Sequence, residues 1–256
     1  MMSPAGGAAP PRPAVRSSLA RWLAAACAIV MCLGFAALGT WQLYRLQWKV
    51  ALIERVEQRV HAAPLAAPGV SAWAAVSKDA DEYRHVYLRG HFLDGADALV
   101  QATTVHGSGF WLISPFCTAE GAIVMVNRGF VAPARSRPQL SAPPACTPAP
   151  STDSVTGLLR LPEVGGGYLR DNDPQADRWY SRDVAAIAAA RKLGPVAPFF
   201  IDREADQTAP GAHEPIGGLT VVSFTNNHLV YALTWYALAL GAAFGLWLLL
   251  RAGRRA

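Results

Sequence analysis

Two uncharged apolar runs, Trp22 to Tyr44 and Leu229 to Leu250, constrain what this chain can fold into. They hold 23 and 22 residues, and a helix of about 20 residues crosses a hydrocarbon core about 30 Å thick. Each run reads as a transmembrane helix. The first is longer than the roughly 7 to 15 apolar residues of a cleaved signal peptide, and no clear A-x-A site ends it, so it stays as an anchor. The expected order is a tail at 1–21, a helix at 22–44, an outer domain at 45–228, a second helix at 229–250 and a tail at 251–256.

Orientation follows from the basic residues beside the spans. Arg12, Arg16 and Arg21 precede the first, Arg251, Arg254 and Arg255 follow the second, and neither tail holds an acid. Both termini are therefore expected in the cytoplasm, with Leu46 to Asn227 on the outer side of a bacterial inner membrane. Proline in the N-terminal tail argues against the amphipathic helix of an organelle transit peptide and for a disordered tail. Setting the six tail arginines aside leaves 17 basic residues against 18 acidic ones, a formal charge of −1. The excess of positive charge thus records topology and gives no reason to invoke nucleic acid. Cys27 and Cys32 lie in the first span and read as small packing residues, with a redox or metal pair as the alternative. Cys117 and Cys146 lie outside, where an oxidising compartment would allow a disulfide.

Helical periodicity continues past the first span through Leu46, Val50, Ile53, Val56 and Val60, and an Ala/Pro-rich link follows. Then come short β-like runs: "YRHVYLRGHFL", "ALVQATTV", "GFWLISPF", "AIVMVNRGFV", "VTGLLRL", "PFFIDRE" and "LTVVSFT". They predict a mainly antiparallel sheet in an α+β domain, curled into an open barrel. One helix interrupts them in "SRDVAAIAAARKLGP", with Ser181 or Asp183 as N-cap, Arg191 and Lys192 in the last turn and Gly194 past the end. The stretch from Ala132 to Pro150 reads as an irregular loop.

Enzyme signatures are mostly absent: "HGSGF" lacks the first Gly of a nucleophile elbow, and "EVGGGYLR" lacks the Lys-Ser/Thr of a phosphate loop. His85 and His91 share the polar face of one strand, where zinc or plain solvation would explain them. "DNDPQAD" departs from a calcium loop and reads as a capped turn on Asn172, Asp173 and Pro174. Arg128, Arg178, Trp179, Tyr180, Arg182 and Asp183 fit a structural network of ion pairs and cation–π contacts, with docking of an anion or a partner as the alternative.

The span mouths carry more. Trp41, Arg45 and Lys49 follow i, i+4, i+8 spacing, either as an anchor in the lipid headgroups or as a seat for an amphipathic anion such as a porphyrin. At the second span Asn226 or Asn227 is expected to cap the helix. His228 follows in the first turn, where the helix dipole disfavours a proton and leaves a lone pair for a metal. An interfacial histidine bonded to the outer domain is the alternative. Ala232, Trp235, Ala239 and Ala242 continue down that face as a slot against the first span, and Gly241 and Gly245 would permit close helix approach.

The motifs "GTWQLYRLQWK", "YRHVYLRGHF", "GFWLISPF", "VNRGFVAP", "NDPQADRWYSRD" and "NNHLVYALTWYALA", in this order along the chain, resemble the Surfeit locus protein 1 family of cytochrome c oxidase assembly factors. The resemblance implies a non-catalytic role: receiving haem a and assisting its insertion into the oxidase's catalytic subunit, with the haem a synthesis machinery as a further partner. It makes His228 the candidate haem-iron ligand and Arg45, Trp41 and Trp235 candidate haem contacts. Asn226, Asn227, Tyr231, Asn127, Arg128, Gly129, Trp179, Tyr180, Arg182 and Asp183 become motif positions. Phe130 departs from the Trp common at its place in the family. A cofactor-free scaffold for oxidase subunits and a membrane-anchored enzyme are the competing readings.

Overall fold

The computed structural model describes residues 14–133, 145–148, 150, 152–167, 170–206, 211, 214–220 and 224–254. The chain divides into two units, residues 1–54 with 224–256, and residues 55–223. Residues 1–13 of the tail expected at the N-terminus and most of the Pro-rich loop fall outside the described residues, while residues 14–21 of that tail belong to the first helix instead of a disordered segment.

In the first unit α1 (Ala14–Val60) pairs with α4 (His228–Gly253). At about 1.5 Å per residue α1 is long enough to leave a bilayer by several turns, as its periodicity predicted. The packed face of α1 runs through Ala25, Ala28, Cys32, Phe35, Gly39, Gln42, Leu46 and Lys49, and that of α4 through His228, Ala232, Trp235, Ala239, Ala242 and Leu246. Steps of three and four alternate on both, the narrow seam of a left-handed helix pair. The contacts Gln42–His228, Gly39–Tyr236 and Phe35–Trp235 run in opposite directions along the two helices, so the pair is antiparallel. Elsewhere large apolar side chains stand exposed, Trp22, Leu33, Leu233, Leu240 and Phe244 among them. Both helices are long and apolar enough to cross a membrane and bury little of themselves within the protein. Water would not tolerate such surfaces, whereas lipid does. The protein is membrane-anchored.

The second unit is built on a sheet. Its strands are β1 (Leu65–Ala66), β2 (His85–Phe92), β3 (Ala98–Thr104), β4 (Gly107–Thr118), β5 (Ile123–Val131), β6 (Asp153–Arg160), the two-residue β7 (Gly166–Gly167) and β8 (Arg170–Asp171), and β9 (Val196–Arg203). A 3-10 turn (Val70–Ala75) and the single-turn α2 (Lys78–Asp81) precede β2. Strand order is β1-β2-β6-β9-β5-β4-β3, while β7 and β8 pair apart. A further pairing, Gly90 to Phe92 against Phe116 to Thr118, joins β2 to β4 and closes five strands into a barrel. The register of β4 against β5 shifts between Trp111 and Ile113, and such a bulge bends a strand. The bend lets one end of β4 pair with β3 and the other with β2. Pairing is antiparallel except for β5 with β9 and β1 with β2.

Side chains alternate across the wall. Val86, Leu88, Phe116, Val124, Val126, Phe199 and Ile201 fill one cluster; Met125, Phe200, Val100 and Ile113 pack on the other side against α3 (Val184–Ala190) and Trp179. Both faces of β5 and β9 are thus buried, which explains the unbroken apolar runs "IVMV" and "FFI".

Asp183 is the N-cap of α3, accepting from the Ala186 N–H at 3.1 Å. The helix ends sooner than its sequence suggests: Arg191 is the C-cap, and Lys192, not Gly194, takes the left-handed conformation with φ 54°. Two demands fix that turn. Arg191 is buried, bound to the Asp97 carbonyl and to Asp177, and the next turn must carry Leu193 into the apolar cluster. The short β1 lay unread in the Ala/Pro link. The strand expected at Leu219 to Thr225 is absent from its described residues, 219–220 and 224–225; the others lie outside them.

Cys117, at the end of β4, is disulfide-bonded to Cys146 with a Cα–Cα distance of 5.4 Å. The bridge ties the chain beyond β5 back to the barrel beside its closing strands. Replacing both cysteines by serine should lower the unfolding free energy by about 2–4 kcal/mol. Adding reductant to the wild-type protein should reproduce the loss in a thermal melt.

Candidate functional site

Two groups of the singled-out residues come together, one in each unit. At the start of α4, His228 is half-buried on the seam and its Nδ1 lies 2.7 Å from Oε1 of Gln42 on α1. Tyr236 bonds Thr40 across the same interface at 3.0 Å. One heptad beyond Gln42, Lys49 extends its ammonium over the Phe224 ring, 5.0 Å from the centroid. Trp41 and Arg45 stand outside the seam; Arg45 lies over Trp48 at 4.6 Å. Lys49 is therefore the cation on the packed face of α1.

Several expectations at this mouth are corrected. Asn227 occupies the N-cap position, yet its side chain makes no capping hydrogen bond. Its ψ of 8° departs from the extended backbone that lets an N-cap side chain reach the first turn. Oδ1 of Asn226 is buried with no hydrogen-bond partner among the described residues. The slot expected below His228 is closed: Ala232 and Ala239 are buried, and Trp235 stacks on Phe35 at 5.7 Å. Gly241 and Gly245 have open space where a side chain would be, so they are not where the helices approach. That place is Gly39, where an added Cβ would meet the Tyr236 ring at 3.0 Å. Tyr231 is exposed, and of the span cysteines Cys32 is on the seam while Cys27 is exposed.

In the outer unit the motif residues converge on Asp202 at the end of β9. This buried carboxylate accepts from Asn127 Nδ2 at 2.8 Å, Arg182 Nη1 at 3.1 Å, Arg160 Nη1 at 3.1 Å and Thr220 Oγ1 at 3.0 Å. Asn127 in turn accepts from the Gly129 N–H, and Arg182 also pairs with Glu163. Of the motif positions, Asn127, Gly129 and Arg182 meet in this network. Sequence inspection missed Asp202, Arg160, Glu163 and Gln42. A polar residue closing the run "FFID", and an amide in phase with the span's packed face, were the available signals.

Burial works against the charge of Arg182, but its bond to Glu163 and the charges of Asp202 and Glu163 outweigh it and hold the guanidinium above its usual value. Burial likewise favours neutral Glu163, yet the bond and charge of Arg182 prevail and lower its pKa from 4.5. A carboxylate depressed on folding stabilises fully above its unfolded value and loses that contribution as pH falls through the folded value. Glu163→Gln should therefore flatten the fall in stability of the wild type below about pH 4.5. Melting temperatures compared between pH 7 and pH 3 would show the two curves converging in acid.

The remaining residues sit around this frame. Trp179 is buried, its Nε1 donating to Asp177, and its carbonyl accepts from the Gln101 N–H at the edge of β3. Tyr180 lies under Arg170, and with Arg178 and Trp179 it lines a cavity of about 330 Å³. Arg128 lies over Phe92 at 4.5 Å. Asn172 accepts from the Tyr180 and Ser181 N–H groups and Asp173 from that of Ala176, the capped turn its sequence predicted. His85 bonds Ala62 and Glu204, and among the described residues no group of three or more His, Cys, Asp or Glu could hold a metal ion.

Comparison with known proteins agrees with the motifs. The SURF1 family model matches residues 29–240, from within the first span to within the second. Surfeit locus protein 1 of Mus musculus is 33% identical over 226 residues, covering 82% of this chain and 70% of its own length. The Homo sapiens protein of that name is 32% identical over 227 residues, with 82% and 71% covered. A SURF1-like protein of Monosiga brevicollis is 34% identical over 229 residues, covering 84% and 82%. With part of each span and the whole intervening barrel matched, this chain belongs to the SURF1 family.

Proposed function

We propose that this protein is a non-catalytic assembly factor of cytochrome c oxidase, holding haem a at the outer mouth of its helix pair for insertion into the catalytic subunit. The observation that carries the reading is His228, held by Gln42 at the start of α4 so that its Nε2 is the ring nitrogen left to meet a ligand. The neighbouring residues fit the group. Buried Oδ1 of Asn226 lacks a partner among the described residues, and Lys49, with Arg45 beyond it, supplies cations for carboxylates. His228 would hold the iron and exposed Trp41 would offer aromatic surface, while Trp235, stacked on Phe35, would brace the helix pair behind the site. Haem a delivered from this site would give the oxidase subunit its redox group; the chain itself binds, orients and shields.

The reading extends to topology: both termini cytoplasmic in a bacterial inner membrane, with the barrel outside. Arginines in both tails and a disulfide in the barrel support it.

Absorption spectra of the full chain, purified from cells that make haem a, test the proposal. Wild type should carry haem; His228→Ala should lose it or show an altered spectrum while still inserting in the membrane, and Arg45→Ala should weaken retention without altering the iron's ligand spectrum. Wild-type protein without haem, whose deletion still impairs the oxidase, would replace the haem reading with a cofactor-free scaffold.

A further inference from the structure

We infer that Gln42 is a positioning residue for His228, one that selects the imidazole tautomer in which Nε2 carries the lone pair. The inference deepens the haem reading and rests on it. Oε1 of an amide can only accept a hydrogen bond, so the 2.7 Å contact requires the proton on Nδ1 of His228. A neutral imidazole has one N–H. With it on Nδ1, Nε2 is left as a bare donor of electrons, the form an iron ligand needs.

The setting makes the contact selective. Gln42 and His228 both lie on the packed stripe of their helices, so the bond spans the interface. One heptad before Gln42 on α1, the Phe35–Trp235 stack fixes the two helices against each other, and the Thr40–Tyr236 bond ties them again beside it. An amide on the packed face of a membrane helix is costly without a partner, and His228 supplies one. Partial burial of both side chains on the seam shelters that bond from competing water. Without it the ring would be free to turn and to adopt the Nε2–H form that histidine favours in water, which offers iron the wrong nitrogen.

The proposal is tested first without haem. In the full-length apoprotein in lipid nanodiscs, with ¹⁵N-labelled histidine, the imidazole shifts of His228 should report Nδ1–H and a proton-free Nε2. Gln42→Leu, which keeps the bulk and removes the acceptor, should convert His228 to the Nε2–H form. Gln42→Glu keeps an acceptor and should retain Nδ1–H. In haem titration Gln42→Leu should weaken binding by about 10–100-fold. Gln42→Glu should bind near the wild-type level with a more negative reduction potential, because a carboxylate draws the Nδ1 proton more strongly. A purely structural glutamine would shift neither the tautomer nor the potential.

An Nε2–H tautomer in the wild type overturns the inference without any variant. So does unchanged haem affinity in Gln42→Leu. Wild-type protein that takes up no haem sinks the haem reading and this role together. Because the tautomer is measured in the apoprotein, the failures are told apart.

Discussion

Asp202→Ala should be the most destabilising single substitution in the barrel, costing about 3–5 kcal/mol. Its side chain is 2% exposed and accepts from two arginines, an amide and a hydroxyl. Alanine leaves Arg160 and Arg182, at 15% and 13% side-chain exposure, with their shared counter-charge gone. Arg182 keeps Glu163 and Arg160 keeps Glu82, so the loss falls short of two stranded cations. Asp202→Asn should be intermediate, since one acceptor survives while the new NH₂ faces donors. At about 2–4 °C per kcal/mol for a domain of this size, the alanine variant should melt about 6–20 °C below the wild type. An alanine variant within a degree of the wild type would show that the network contributes no stability.

Gly129→Ala should follow closely. The residue has φ 129°, and an added Cβ would lie 2.2 Å from the Ile216 carbonyl oxygen. That oxygen accepts from the Phe130 N–H, and the Ile216 N–H donates back, so the clash falls on paired backbone that cannot rotate away. Strained backbone and overpacking each cost about 1–3 kcal/mol, giving about 2–6 together. The same turn is held from the other side by Asn127, so a shift of Gly129 would also pull on the Asp202 network. Protease resistance of the barrel and its melting point should fall together. Phe130→Trp tests the contrasting case: the buried ring contacts Trp111 and His106, and a larger one presses on side chains that can adjust. Its cost should be smaller than that of one methyl at Gly129.

The two spans, the β character of the outer unit and the polar residues at its mouths were legible in the chain, because each is written in local chemistry. Twenty-odd uncharged apolar residues have one stable environment, and alternation of period two marks strands wherever one face is buried. Thus β2 through β6 and β9 fall where the patterns put them, and Asp183 caps α3 as its position suggested. His228 was found by its place in the first turn of an apolar helix. What sequence could not supply were the partners of these residues. The three-residue pairing that closes β2 on β4 joins segments with no shared pattern, brought together by the bulge in β4. Asp202 gathers side chains from β5, β6, the segment before α3 and the chain after β9, and only the closed wall makes them neighbours. Gly39, rather than Gly241 or Gly245, is where α1 and α4 come close, and Gln42, rather than Trp41 or Arg45, meets His228. Helical spacing fixes which residues share a face; which face meets another helix depends on rotation about the axis, and packing along the whole interface sets that.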